Sequence, residues 1–162
     1  MWPQEAINPD EEEMTADEYF VSPAKGKIIA LEEVPDKTFS QKLLGDGFAI
    51  DITDGKIVAP ISGKLETVFT SGHAFGIKGP NGEVLIHVGI DTVSLNGEGF
   101  DVKVKQGDFV KQGDVLVNVD LDKIHQLGKS TLTMVLFTEG NEVTNNDFNK
   151  EVTINEQIDV TF

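Results

Sequence analysis

The sequence predicts an all-β, turn-rich protein in which one small β motif occurs twice. Sixteen glycines among 162 residues and an aromatic content of only 7% are typical of short strands joined by tight turns. The segment at residues 21–28 (VSPAKGKI) is matched 37 residues later by residues 58–65 (VAPISGKL). The shared Val, Pro, Gly and Lys positions predict two copies of one motif packed on each other.

Further turn and strand signals follow along the chain. Residues 105–108 and 111–114 both read KQGD, which predicts two equivalent tight turns. The apolar run at residues 130–137 and the alternating run at residues 149–162 predict strands that pair into the sheet.

A short helical signal separates the two copies of the motif. Phe39, Leu43 and Leu44 have the spacing of about one helical turn, which the glycines of residues 45–47 (GDG) end. This turn is either part of the core or an exposed surface on which a partner docks.

We expect residues 19–162 to form a single domain, preceded by an acidic, poorly ordered tail at residues 1–18.

The charge of the chain restricts its partners. The net charge is −15 and all thirteen basic residues are lysines. Nucleic acid is excluded as a partner because its phosphates require a basic surface, whereas a protein with a basic face is favoured. Without arginine, the chain cannot hold a phosphate through a guanidinium of its own.

Cysteine residues, a membrane-spanning run and a signal segment are not found in the sequence. There is no cysteine, hence neither a disulfide nor a thiolate metal site. No apolar run approaches the roughly 18 residues that a membrane span needs, so we expect no membrane insertion. The N-terminus has no basic-then-apolar signal segment, and we therefore expect a cytoplasmic protein.

A strand with a single imidazole lies at the centre of the chain, at residues 82–93 (GEVLIHVGIDTV). Strand alternation places its residues on two faces, with Val84, Ile86, Val88 and Ile90 on one and Leu85, His87 and Gly89 on the other. Taken alone, His87 would be a core histidine that is hydrogen-bonded to a nearby carbonyl.

A second histidine gives His87 another interpretation. Residues 79–82 (GPNG) predict a turn after the run that begins at His73. If the loop has an odd number of residues centred on Pro80, Lys78 faces Gly82 and His73 faces His87. Directly opposed side chains in a ladder lie about 5 Å apart. The two imidazoles would then share one face of the sheet.

Two facing imidazoles allow two kinds of chemistry. They could be zinc ligands, with Asp91 or a group from a partner as the third ligand. Alternatively, one neutral imidazole could act as a nucleophile towards phosphorus while the other orients it and binds a phosphate oxygen. The residues alone leave both possibilities open.

The stretch at residues 82–95, with 97–100 (GEGF), resembles the active-site signature of the glucose-type enzyme IIA family of the bacterial phosphotransferase system. The likeness extends over roughly residues 20–160, and its other motifs are VPDKTF at 34–39, GDGFAI at 45–50, HAF at 73–75, GD at 107–108 and STLT at 130–133. The resemblance implies an antiparallel β-sandwich or barrel sandwich built from a duplicated motif.

The resemblance also implies roles for individual residues. His87 would be phosphorylated through Nε2, and His73 would stabilise the phosphoryl group. Ser71 stands where the family often has Thr, and we expect its hydroxyl to keep the hydrogen bond to the histidine network. An apolar rim for protein partners would consist of Phe39, Leu43, Leu44, Phe69, Phe75 and Val93. Asp36 and Asp91 would be acidic groups that meet a partner's Arg or Lys.

The implied function is that of a phosphotransferase component. The phosphocarrier protein HPr would donate a phosphoryl group to His87, which would pass it to the cytosolic domain of a sugar permease without a further cofactor. An alternative is a regulatory module that binds metabolic proteins through the same face, with a zinc ion shared between His73, His87 and a partner. A lysostaphin-type zinc hydrolase is excluded because the sequence has no His-x-His pair.

Overall fold

The structure, a computed structural model, describes residue 17, residues 19–143 and residues 148–161. Apart from Asp17, the predicted acidic tail lies outside the described residues. The strands are β1 (Phe20–Val21), β2 (Gly26–Ala30), β3 (Asp46–Ile52), β4 (Lys56–Val58), β5 (Gly63–Val68), β6 (Ala74–Gly79), β7 (Gly82–Ile90), β8 (Phe100–Val102), β9 (Phe109–Val110), β10 (Val115–Val119), β11 (Ser130–Phe137), β12 (Glu142–Val143), β13 (Glu151–Val152), β14 (Gln157–Ile158) and β15 (Val160–Thr161). The helical segments are the α-helices Lys37–Ser40 and Leu121–Gln126 and the 3₁₀ turns Leu31–Glu33 and Thr92–Leu95.

The strands form a sandwich whose described pairings are all antiparallel. The large sheet has the order β13-β2-β3-β11-β7-β6-β5-β9, and β4-β10-β8 form a second sheet. Two further pairs, β1-β14 and β12-β15, complete the described sheets. Side chains of both larger sheets pack in one core that includes Ile50, Ile57, Phe75, Ile86 and Leu116. The predicted all-β antiparallel sandwich is confirmed.

The predicted duplication is visible in the backbone. In each copy one strand ends at the Val that the two copies share, and another strand begins at the shared Gly. The amide of Val21 donates to the carbonyl of Pro60 (3.3 Å), and the amide of Val58 donates to the carbonyl of Pro23 (2.8 Å). Since Pro23 and Pro60 occupy the same place in the two copies, this exchange is reciprocal. The two copies therefore pack on each other as predicted.

The two KQGD turns are also equivalent. In residues 105–108 and in residues 111–114 the lysine amide donates to the aspartate side chain, over 3.0 Å and 2.9 Å. The glycine has a φ of 95° in both turns, a left-handed conformation that favours this residue. In contrast, the single closing strand predicted for residues 149–162 is wrong, because a bend at Asn155 (φ 65°) separates β13 from β14, and β14 and β15 on either side of Asp159 pair with different strands.

A second apolar cluster covers the outer face of the large sheet. Its buried members are Leu31, Val34, Phe39, Ala49, Met134 and Leu136, and partly buried Leu85 and Ile90 pack against it. Val84, Ile86 and Val88 point into the main core, as the alternation predicts. Placing Ile90 with them is wrong, because Gly89 (φ 82°) interrupts the alternation. The sheet around His87 is therefore covered on both faces.

No helix in the described part of the chain is long and apolar enough to cross a membrane.

The glycines that begin β2 and β5 provide a test of this packing. A Cβ on Gly26 would lie 2.2 Å from the carbonyl oxygen of Asp51, and one on Gly63 would lie 2.4 Å from that of Lys78. We expect Gly26→Ala and Gly63→Ala each to lower the free energy of unfolding by more than about 2 kcal/mol, because a neighbouring strand must move. Gly107→Ala, with open space around its Cβ, is the control and should cost about 1 kcal/mol through backbone strain. Urea unfolding measures all three, and equal losses would contradict the packing argument.

Candidate functional site

The β6–β7 hairpin brings the two histidines near each other in a register that differs from the predicted one. The ladder pairs Gly79 with Gly82, Lys78 with Glu83 and Ala74 with His87. The predicted pairing of His73 with His87 is wrong by one residue. The reason is a loop of two residues, Pro80 and Asn81, where a loop with an odd number of residues was expected.

The two imidazoles nevertheless meet. Their ring centroids lie 5.1 Å apart and the ring planes are inclined by 74°. Strict alternation would place His73 on the face opposite to His87, but His73 precedes the first residue of β6 and the chain bends at Gly72 and His73. The carbonyl of His73 accepts a hydrogen bond from the amide of Val88 (2.7 Å), which fixes this bend to β7. The predicted neighbourhood of the two rings is confirmed.

His87 has a defined orientation. Its Nδ1 lies 2.9 Å from the carbonyl oxygen of Gly89. A carbonyl can only accept, so Nδ1 carries the proton and Nε2 has a free lone pair when the ring is neutral. The half-buried ring packs against Phe39 at a centroid distance of 5.0 Å, and Met134 of β11 lies opposite it in the ladder.

His73 is held more deeply. Only 2% of its surface is exposed, and the edge of the Phe69 ring packs at a centroid distance of 5.0 Å. The hydroxyl of Ser71 forms the expected hydrogen bond with Nδ1 of His73. If the Ser71 hydroxyl donates to Nδ1, the single N–H proton of a neutral His73 is on Nε2. From there it can be donated to a ligand.

Burial keeps both imidazoles neutral. It lowers the pKa of His73 below the usual 6.5, and the neighbouring His87 lowers the pKa further. Burial also lowers the pKa of His87, although the hydrogen bond to Gly89 and the carboxylate of Asp36 oppose the shift. At pH 7 the site therefore contains two uncharged rings, of which His87 offers a nucleophilic nitrogen.

The predicted apolar rim is only partly exposed. Leu43, Leu44, Phe69 and Val93 expose 67%, 42%, 45% and 54% of their surface. Phe75 is fully buried in the main core, because its side chain on β6 points between the sheets, so it does not belong to a docking rim. Phe39 is only 5% exposed, and its ring supports His87. We use "exposed rim" below for the four accessible residues alone.

The two predicted acidic groups have different surroundings. The carboxylate of Asp36 accepts a hydrogen bond from the amide of Thr38 (2.9 Å) and so caps the helix that carries Phe39. The carboxylate of Asp91 forms an ion pair with Lys129 (2.9 Å). Sequence reasoning did not identify Lys129 as the partner of Asp91, because a lysine does not stand out by residue type. It also did not identify the carbonyl of Gly89, because a backbone acceptor is not visible in the pattern of side chains.

The two rings do not form a metal site by themselves. Within residues 17, 19–143 and 148–161, no group of three or more His, Cys, Asp or Glu side chains could hold a metal ion. Zinc usually needs at least three protein ligands. His73 and His87 supply two, so a zinc ion here would require ligands from a second molecule.

Comparison with known proteins agrees with this geometry. Residues 18–143 match the family described as phosphoenolpyruvate-dependent sugar phosphotransferase system, EIIA 1. The structure is similar to that of the glucose permease IIA from Mycoplasma capricolum, with a TM-score of 0.81 and 37% identity over 100% of both chains. The resemblance inferred from the sequence motifs is confirmed. The chain belongs to the EIIA 1 family of the phosphoenolpyruvate-dependent sugar phosphotransferase system.

Proposed function

We propose that His87 accepts a phosphoryl group through Nε2 from a phosphohistidine on the phosphocarrier protein HPr. It then passes the group to the cytosolic domain of a sugar permease, so that the chain works in the cytoplasm as one step of sugar uptake. The observation that carries the proposal is the hydrogen bond from Nδ1 of His87 to Gly89, because it leaves the Nε2 lone pair available. The likeness to the glucose permease IIA supports a permease of the glucose class as acceptor.

The transfer balances without a further reactant. The N–P bond of the donor breaks while the bond between His87 Nε2 and phosphorus forms, and the donor imidazole recovers its lone pair. The proton on Nδ1 of His87 stays in place, and the carbonyl of Gly89 stabilises the positive charge that the ring acquires. The second transfer repeats these events in the opposite sense. Such a reaction depends mainly on in-line positioning and on stabilising the charge of the moving group.

His73 is the candidate for stabilising that charge. Its ring lies beside His87, and the Ser71 hydroxyl at Nδ1 supports the tautomer that carries a proton on Nε2. A proton there can be donated to a phosphoryl oxygen. A hydroxyl that donates to His73 is therefore more than a structural contact, because it sets which nitrogen faces the phosphoryl group.

The chain supplies few charges that would stabilise a phosphoryl group on His87. It contains no arginine, so no bidentate guanidinium can trap the group on His87. Asp36, which is near enough to raise the pKa of His87, disfavours an added negative charge. Both features favour onward transfer, and the net charge of −15 attracts partners with a basic face.

Phosphorylation can be measured directly. The protein is mixed with phosphoenolpyruvate, enzyme I and HPr, and its intact mass is followed. We expect one acid-labile phosphoryl group on the wild type and none on His87→Gln, because the nucleophile is missing. His73→Gln should still accept the group but pass it on more slowly, by about tenfold or more, since one hydrogen bond to the transferring group is lost.

His125 provides the matched control. It is exposed, and its Nε2 is hydrogen-bonded to Thr131 (3.0 Å), so His125→Gln should be phosphorylated like the wild type. Absence of phosphorylation in the wild type, with HPr itself phosphorylated, would contradict the relay. It would favour the regulatory binding module, and titration with zinc in the presence of a partner would then test for a shared metal site.

The lowered pKa values predict how stability depends on pH. Between the lowered folded-state pKa and the unfolded value near 6.5, the unfolded chain binds more protons than the folded chain. The stabilising contribution is therefore complete above pH 6.5 and is lost as the pH falls, by at most about 1.4 kcal/mol per pH unit for each imidazole. Urea unfolding at pH 7.5 and 5.5 should show a smaller loss for His73→Gln than for the wild type. Equal losses would contradict the neutral, buried state of His73.

The exposed rim predicts where partners dock. Leu43→Ser removes the most exposed apolar side chain of the rim, and we expect it to raise the KM for phospho-HPr about tenfold with little change in kcat. Tyr19→Ser is the matched control. Tyr19 is 45% exposed but lies beside Pro80 and Asn81, at the opposite end of the β6–β7 hairpin from the histidines. A similar rise in KM for both variants would contradict docking on the rim.

A further inference from the structure

The position of the Gly89 carbonyl is not fixed by the sheet alone. The ladder between β7 and β11 pairs Val88 with Thr133 and Ile90 with Ser130, so two residues of β11 face Gly89. Gly89 itself has a φ of 82°, outside the extended range of a strand. The carbonyl that binds His87 thus belongs to an irregular residue at an interruption of the ladder, and something else must hold it.

Thr92 contacts the backbone at this irregularity. It is fully buried, and its Oγ1 donates a hydrogen bond of 2.6 Å to the carbonyl of Val88. That carbonyl belongs to the peptide group that joins Val88 to Gly89. The methyl group of Thr92 lies directly over Gly89, since a Cβ there would come within 2.3 Å of it. One side chain therefore fixes the peptide before Gly89 and covers the residue itself.

The same peptide segment is also tied to the other histidine. The amide of Val88 donates to the carbonyl of His73, while the carbonyl of Val88 accepts from Thr92. The backbone amide of Val88 is thus held by His73, and its backbone carbonyl is held by Thr92. The bond to Thr92 therefore restricts the peptide group from which the chain turns at Gly89.

We infer that Thr92 is a positioning residue that selects the Nδ1–H tautomer of His87, acting through the backbone of Val88 and the carbonyl of Gly89. Thr92 contacts the backbone next to the phosphoryl-accepting ring, and its effect on transfer rests on the proposed role of His87. When the Gly89 carbonyl is in place, the ring proton is held on Nδ1 and the nucleophilic lone pair is on Nε2. When the carbonyl moves away, the proton can occupy Nε2 and block the nucleophile.

The test reads the tautomer before it reads the rate. The ring nitrogens of His87 are observed by ¹⁵N NMR at pH 8 in the complete, unphosphorylated chain, where a protonated and an unprotonated nitrogen have different shifts. We expect the wild type to show the Nδ1–H form and Thr92→Val to show a mixture with the Nε2–H form. Phosphoryl acceptance from phospho-HPr by Thr92→Val should fall about tenfold in kcat, with KM little changed.

Three further variants make the result decisive. Thr92→Ser keeps the hydroxyl and loses the methyl group, and should retain the wild-type tautomer. Ser22→Ala removes a hydroxyl that is equally buried and donates to the carbonyl of Ala24 (2.7 Å) between β1 and β2, so it controls for the loss of a buried hydrogen bond. It should keep the wild-type tautomer. If Thr92→Val does not fold, Thr92→Ala removes the hydroxyl together with the methyl group, and Thr92→Ser then shows the effect of losing the methyl group alone.

The outcomes separate this inference from the proposed relay. An unchanged tautomer in Thr92→Val or Thr92→Ala, or an altered one in Thr92→Ser, would overturn the role of the Thr92 hydroxyl. A changed tautomer in Ser22→Ala would overturn it as well, because any buried hydroxyl would then suffice. The tautomer is measured without HPr, so a protein that fails to accept phosphate would contradict the relay and leave this result standing.

Discussion

The hydrogen bond from Nδ1 of His87 to the carbonyl of Gly89 is the interaction on which the site depends. Without this bond the tautomer of His87 would not be defined, because a neutral imidazole can carry its proton on either nitrogen. The bond joins residues only two apart, which an extended strand cannot achieve with an imidazole that faces outward. The left-handed conformation of Gly89 and the interrupted ladder to β11 make it possible. The irregularity in the sheet is therefore part of the geometry that the proposed chemistry uses.

Covering the sheet on both faces explains why the imidazole of His87, although it lies in a strand, is half-buried. The main core fixes β7 from one side through Val84, Ile86 and Val88. On the other side, the helix capped by Asp36 places the ring of Phe39 against His87. Leu43 and Leu44 follow this helix and remain exposed. The same short segment thus supplies a buried support for the ring and an accessible apolar edge, an arrangement that suits the proposed transfer between two proteins.

The sequence predicted the fold and the pair of histidines, but not the geometry that joins them. Strand alternation and the repeat at residues 21–28 and 58–65 are encoded in residue types; the repeat is confirmed, and the alternation in β7 holds from Val84 to Val88 and fails at Ile90. The hairpin register depends on whether the loop has two or three residues, and GPNG permits either. Phe75 was assigned to the surface because the motif around His73 does not show which way its neighbour points. The contribution of Gly89 is a backbone carbonyl, which no side-chain pattern can indicate.

The charges of the site suit a group that must leave as easily as it arrives. Burial keeps both rings neutral, and the chain has no arginine to hold a phosphoryl group. In the proposed relay, stabilising cations must then come from the partner that is bound at the time. A donor and an acceptor with similar basic faces can use the same exposed rim in turn, since its contacts are apolar and only weakly specific. The direction of transfer then follows from which partner is phosphorylated, because the chain has no guanidinium that would retain the phosphoryl group.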